Sequence, residues 1–168
     1  MKKVALVAAL LTGLRAEAQL PVVKTPLTVV VFLSPECPLC QGYSPVLNAL
    51  QEKYADVITL VGVFPGKAYG DSTYEAFRNK YHIAFRLMKD KDMALVKRLG
   101  ATTTPEAFLL KGNQTLYQGA IDDKVVSLGQ NRLQVSKRFL EDAIAAAEAG
   151  RPALVKKTEP VGCLINNL

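Results

Sequence analysis

Two apolar runs rich in β-branched residues, LTVVVFL (27–33) and VITLVGVF (57–64), flank the stretch QGYSPVLNALQEKYAD (41–56). In that stretch Tyr43, Val46, Leu47, Leu50 and Tyr54 recur at helical spacing. A strand, helix, strand unit of this kind favours a parallel pair joined by a right-handed crossover. It commits the chain to an α/β arrangement in which helices cover a mixed sheet.

The rest of the chain extends the same alternation. STYEAFRNKY (72–81) predicts a second helix with Tyr74, Phe77 and Tyr81 on one face, followed by a short strand near 84–88. DMALVKRLG (92–100) predicts a third helix stopped at Gly100. EAFLLK (106–111) and TLYQGAI (115–121), with Gly112 and Asn113 between them, carry a hairpin signal. RLQVSKRFLEDAIAAAEAG (132–150) predicts the longest helix, with Leu133, Leu140, Ala143, Ile144 and Ala147 as its stripe and Gly150 and Pro152 as its stop.

Between the first strand and the first helix lies SPECPLC (34–40). Cys37 then falls at the first turn of the helix, near unpaired backbone N–H groups and the positive end of the helix dipole. Such a place lowers a thiol's pKa, because the thiolate gains what the thiol does not. Cys40, one turn further in, is close enough to close a disulfide and less accessible, so Cys37 is the expected exposed nucleophile and Cys40 the resolving thiol. Pro38 suits the first helical turn, where its missing N–H costs nothing.

Two prolines make the pattern specific. Pro45 falls inside the predicted helix, and TTTPEAFLL (102–110) puts Thr104–Pro105 immediately before a strand. Here the chain resembles the thioredoxin superfamily, over roughly residues 27–148. The resemblance implies a thioredoxin-like fold, a central mixed β-sheet flanked by helices. It also implies a cis bond at Thr104–Pro105, packed against the cysteines and offering backbone groups to a bound thiol substrate. The chain departs from thioredoxin itself at Glu36, where the family pattern has tryptophan, and at Val31, where it has a buried aspartate. The group that would deprotonate Cys40 is therefore not identifiable, and Glu36 and Glu106 read as solvated carboxylates. Within the superfamily the chain is similar to exported bacterial redoxins of the peroxide-reductase and thiol-oxidoreductase branch, through YQGAIDD (117–123) and TEPVGCLI (158–165).

Residues 1–18 read as a signal peptide: Met1, Lys2 and Lys3 give a positive start, VALVAALLTGL (4–14) an apolar stretch and AEA (16–18) a cleavage site. A core helix of an intracellular protein is the other reading. The apolar stretch is shorter than the ~20 residues a bilayer span needs, so no stable membrane insertion is expected after cleavage, and the location is periplasmic or secreted. Residues 24–150 would form the thioredoxin-like domain and 151–168 a C-terminal tail. Losing the leader takes Lys2, Lys3, Arg15 and Glu17 from the 21 basic and 15 acidic residues, so the formal charge falls from +6. The remaining charges are mixed in sign and no aromatic platform accompanies them, which excludes nucleic acid as the expected partner.

The activity implied is thiol–disulfide oxidoreduction by Cys37 and Cys40, with Thr104 and Pro105 binding the substrate. Protein or small-molecule disulfides and dithiols are the expected substrates and a redox partner protein the expected partner. No cofactor is needed, since two sulfurs carry both electrons. Two alternatives are a thiol peroxidase of redoxin type and a Cu(I)-binding thioredoxin-like module. A peroxidase would want a hydroxyl three residues before the cysteine and a proline seven before it; Ser34 meets the first and Val30 fails the second. His82, the one histidine, gives copper no second imidazole, and no metal site is assigned. Cys163 is the odd thiol. It reads as an inert buried thiol, a third redox thiol exchanging with Cys37, a bridge between chains, or a third thiolate for Cu(I). Asp122 and Asp123 read as a turn or helix-cap pair.

Overall fold

The computed structural model describes residues 25–165, and the expected signal peptide lies outside them. Strands β1 (Leu27–Phe32) and β2 (Ile58–Pro65) pair in parallel, and helix α1 (Pro38–Lys53) makes the crossover between them. Helix α2 (Asp71–Lys80) leads to β3 (Arg86–Asp90), which pairs in parallel with β2. Helix α3 (Ala94–Leu99) ends at Gly100 in the left-handed region. The two-residue strand β4 (Thr103–Thr104) precedes the hairpin of β5 (Glu106–Lys111) and β6 (Gln114–Gly119). The main sheet has the order β3-β2-β1-β5-β6, with β5 antiparallel to β1. This is a thioredoxin-like fold with a mixed central sheet.

β1 reads as a continuous apolar run because both its faces are covered. Val29, Val31 and Leu33 join the core with Leu47 of α1 and Tyr74 and Phe77 of α2. Val30 and Phe32 point the other way, into a second cluster with Val63, Phe108 and Leu95 of α3. Each large apolar side chain buried this way contributes about 1.5–3 kcal/mol. The strand is therefore fixed in register on both sides, which fixes the position of the loop that carries the cysteines.

The expected long helix over 132–150 is corrected by the structure. Only α4 (Phe139–Glu148) is helical, and Leu133 is fully exposed rather than on an apolar stripe. β7 (Val125–Ser127) and β8 (Gln130–Asn131) form a small antiparallel ladder in the preceding segment. The Asp123 carboxylate accepts hydrogen bonds from the backbone N–H groups of Ser136 and Lys137 and from the Ser136 hydroxyl. Those bonds hold the chain extended where periodicity alone predicts helix. The Ser136 hydroxyl, with these N–H groups and Arg132, lowers the Asp123 pKa to about 2.

After Gly150 the chain turns back across the molecule. It meets β6 where the Gln118 N–H donates to the Lys156 carbonyl and the Thr158 N–H donates to the Gln118 carbonyl, each at 3.0 Å. The last element, β9 (Cys163–Leu164), pairs antiparallel with β4, setting Cys163 opposite Thr104. Exposed strand edges are thereby occupied by the chain's own backbone. Among the described residues, no helix is long and apolar enough to cross a membrane.

Candidate redox site

Cys37 is the residue at which α1 begins. Its backbone is extended (φ −77°, ψ 115°), Pro38 follows as the first helical residue, and the Gln41 N–H donates to the Cys37 carbonyl at 3.1 Å. The structure places Pro45 inside α1, and the Thr104–Pro105 bond is cis. The β4 strand brings the Thr104 carbonyl oxygen to 3.3 Å from the Cys37 sulfur, close enough for the protonated thiol to donate to it.

Three sulfurs gather here. The Cys163 thiol donates to the Cys37 sulfur at 3.3 Å, and Cys40 lies one helical turn after Cys37, its sulfur accepting from the Ser34 N–H at 3.4 Å. All three cysteines are free thiols. The Cys40 thiol is the largest influence on Cys37, lowering its pKa to about 5 against the opposing effect of burial. The Cys40 N–H, the Cys163 thiol and the Leu39 N–H add to the lowering. Cys40 moves the other way, chiefly because it is buried and then because a thiolate at Cys37 holds its proton in place. Burial and the Cys37 thiolate likewise push Cys163 up to about 11. One sulfur of the cluster is thus set to be ionised and the other two to donate to it.

Exposure differs from the sequence expectation. Cys37 is only 2% exposed, close to the 0% of Cys40, so accessibility does not distinguish them. The tail covers Cys37, and Cys163 is the exposed member of the cluster. That also removes the reading of Cys163 as an inert buried thiol.

Glu106 is a second correction. It is 1% exposed rather than solvated. Its Oε2 accepts from the Thr102 N–H at 2.7 Å, the Thr103 N–H at 3.3 Å and the Thr102 hydroxyl at 3.3 Å. Its Oε1 accepts from the Gln118 side chain at 3.0 Å. Glu106 is a bracket that positions β4 against the cysteines, and the signal in the sequence was its place directly after Pro105. Glu36 is exposed, as expected, and accepts from the Tyr69 hydroxyl at 3.2 Å.

Val31 is fully buried in the core, so no carboxylate stands behind Cys40 at that position. Asp122, by contrast, is buried and accepts from the Tyr43 hydroxyl at 2.6 Å and from the Lys124 N–H. It ties α1 to the chain after β6, a role beyond the turn or cap expected for it. Ser34, the hydroxyl a peroxidase would want, pairs with the Tyr69 hydroxyl at 3.3 Å, while its N–H donates to the Cys40 sulfur at 3.4 Å. Among the described residues, no group of three or more His, Cys, Asp or Glu side chains is placed to hold a metal ion, the three cysteines included.

The comparisons with known proteins agree with this fold. An uncharacterized conserved protein from Geobacillus kaustophilus is similar at a TM-score of 0.75 and 22% identity, over 84% of this chain and 77% of its own. A hypothetical protein from Sinorhizobium meliloti gives a TM-score of 0.73 and 24% identity, over 84% and 79%. A thioredoxin-like protein from Aeropyrum pernix gives 0.52 and 19%, over 58% and 70%. No curated protein matches the chain. The model of the AhpC/TSA family matches residues 11–118, most of the chain and the whole of its cysteine motif. The chain therefore belongs to the AhpC/TSA family, as a redoxin-like member of the thioredoxin superfamily.

Proposed function

We propose that this chain is an extracytoplasmic thiol–disulfide oxidoreductase whose Cys37 and Cys40 alternate between dithiol and disulfide. The observation that carries the reading is the placement of Cys37 at the start of α1, one turn before Cys40, with the Thr104 carbonyl oxygen and the Cys163 sulfur each 3.3 Å from its own sulfur. Cys37, surrounded by donors, is lowered to about 5, while buried Cys40 beside it is raised. A thiolate is the attacking species in exchange, and a sulfur of low pKa is also a good leaving group.

In the reductive direction the Cys37 thiolate attacks the disulfide sulfur that comes to lie beside Thr104–Pro105, the place where the Cys163 sulfur stands in this arrangement. A Cys37 mixed disulfide forms, and the departing thiolate takes up a proton. Cys40 then loses its proton and attacks the Cys37 sulfur. The Cys37–Cys40 disulfide forms and the second product thiol leaves. Run backwards, the same steps oxidise a dithiol. The Thr104 carbonyl, 3.3 Å from the Cys37 sulfur, and Pro105 beside it supply the binding surface.

The substrates are protein or small-molecule disulfides or dithiols, and a redox partner protein restores the pair. The reading takes 1–18 as a signal peptide, 24–150 as the thioredoxin-like domain and 151–168 as its tail, with a periplasmic or secreted location. Insulin reduction by the full chain, driven by a small dithiol, tests the activity. Turnover that is lost in Cys37→Ser supports the proposal; equal turnover of Cys37→Ser and the parent chain overturns it.

Peroxide reduction is the second reading, and the family match favours it. The Ser34 hydroxyl stands against it, since it pairs with Tyr69 rather than with Cys37. Peroxide consumption by the reduced chain, measured beside insulin reduction, separates the two.

A further inference from the structure

We propose that Cys163 is a relay thiol, the sulfur at which external disulfides and dithiols exchange and through which they communicate with the covered Cys37–Cys40 pair. This rests on the thiol–disulfide reading of that pair and adds the route to it. With Cys37 at 2% and Cys40 at 0% exposure, an outside sulfur has no line of approach to either in this arrangement. Cys163 is exposed, and its sulfur is already 3.3 Å from that of Cys37.

The backbone specifies this placement. Cys163 stands opposite Thr104 in the β4–β9 ladder, and the Thr104 carbonyl is the group that touches the Cys37 sulfur. On one side of Cys163, Gly162 lies so close to Thr104 that an added Cβ would be 2.3 Å from its carbonyl oxygen. On the other, the Ile165 N–H donates to the Thr102 carbonyl at 2.9 Å. Further back, the Thr158 hydroxyl accepts from the Ala120 N–H at 2.9 Å and pairs with the Tyr117 hydroxyl at 2.7 Å. The tail is thus anchored before and after the thiol, in one register. Cys163 occupies the place where the proposed mechanism needs the sulfur that Cys37 attacks.

The chemistry balances without a further reagent. The Cys163 thiol passes its proton to the Cys37 thiolate, 3.3 Å away, and attacks an external disulfide; a mixed disulfide forms on Cys163, and the first product thiolate leaves and takes that proton back from Cys37. The Cys37 thiolate then attacks the Cys163 sulfur, forming Cys37–Cys163 and releasing the second product thiol. Cys40 loses its proton and attacks the Cys37 sulfur, forming Cys37–Cys40, and Cys163 leaves and regains a proton. Two electrons pass from the cysteine pair to the external disulfide. In reverse, an external dithiol attacks Cys163 within the Cys37–Cys163 disulfide, and Cys37, the sulfur of lowest pKa, is the leaving group. Exchange favours that direction of cleavage, since the thiol of lower pKa departs faster.

The experiment mixes the reduced full chain with oxidised glutathione, stops the reaction by acid and alkylation at successive times, and maps the peptides. The expected sequence is glutathione on Cys163, then Cys37–Cys163, then Cys37–Cys40. Cys163→Ser should form Cys37–Cys40 at least about tenfold more slowly, while Cys40→Ala should accumulate Cys37–Cys163. Glutathione appearing first on Cys37, or equal rates in Cys163→Ser and the parent chain, overturns the relay while leaving the pair standing. Absence of any Cys37–Cys40 bond in the parent chain, under glutathione or under diamide, overturns the pair itself and the relay with it.

Discussion

Gly162 lies against the carbonyl of Thr104 with no room for a side chain between them: a Cβ would fall 2.3 Å from the oxygen and 2.8 Å from the carbonyl carbon. Both obstacles are backbone atoms, so a rotamer change cannot relieve the contact. Gly162→Ala must therefore lift β9 away from β4. Iodoacetamide labelling of Cys37 in the reduced chain should then rise by about tenfold or more, as the thiolate there loses its cover. Unchanged labelling would show that β9 does not shield Cys37.

The Cys40 thiol is the largest influence holding Cys37 near pKa 5. The thiolate absorbance of the reduced chain should titrate with a midpoint near 5. In Cys40→Ala the midpoint should move up, because burial then acts against fewer donors. A midpoint that stays put would assign the lowering to the helix N-terminus rather than to the sulfur cluster.

The same shift has a consequence for stability. Cys37 has a folded pKa depressed from 9.0 to about 5, so its contribution is present above the unfolded value and is lost as pH falls through the folded one. Stability of the reduced chain from this group should rise between about pH 5 and 9. Cys40 and Cys163, both raised, bind protons more firmly when folded, so their effect turns destabilising above pH 9. Denaturant titrations of the reduced chain against Cys37→Ser isolate the first effect as a difference in slope with pH.

Glu106 receives only donors, three from Thr102 and Thr103 and one from Gln118. In Glu106→Gln, one acceptor becomes an N–H₂ donor, which either faces the Thr102 and Thr103 donors or forces the Gln118 amide to turn over and accept. The loss should be on the order of 1–3 kcal/mol in denaturant unfolding. Because Thr104 follows directly, the Cys37 thiolate titration should shift as well. A stability change with no shift in that titration would make Glu106 a brace for the hairpin alone.

The parts of this molecule legible in the sequence are those written in side-chain periodicity or in prolines. β1 and β2 carry β-branched runs, α1 carries a helical stripe, and Cys37, Pro45 and Pro105 mark fixed points of the fold. What was not legible is held by polar atoms and backbone. Asp123 keeps residues 136 and 137 out of α4, although their periodicity is helical. Glu106 is buried by partners that only the folded chain supplies. The tail docks through Gly162, Gly119 and main-chain bonds, none of which leaves a hydrophobic pattern, so its return to Cys37 had no signature beyond the cysteine itself.

The anchor at Thr158 offers a way to loosen the tail without touching the sulfurs. Gly119 has φ +135°, a conformation that side chains rarely adopt, and a Cβ there would lie 2.2 Å from the Thr158 carbonyl oxygen. Gly119→Ala therefore meets two penalties, of which the backbone conformation alone costs roughly 1–3 kcal/mol. Thr158→Val is the gentler change. It keeps the shape but takes an acceptor from the Ala120 N–H, while the Tyr117 hydroxyl keeps its 2.6 Å bond to the Ala120 carbonyl. The cost should be at most about 1–3 kcal/mol for one stranded, half-buried donor. If the anchor sets the register of β9, Thr158→Val should also slow formation of the Cys37–Cys163 disulfide in a Cys40→Ala background, because the sulfur spends less time at its 3.3 Å approach. A full loss of stability with no change in that rate would mean that β9 finds its place on β4 without the anchor, guided by the Gly162 contact and the Ile165 N–H alone.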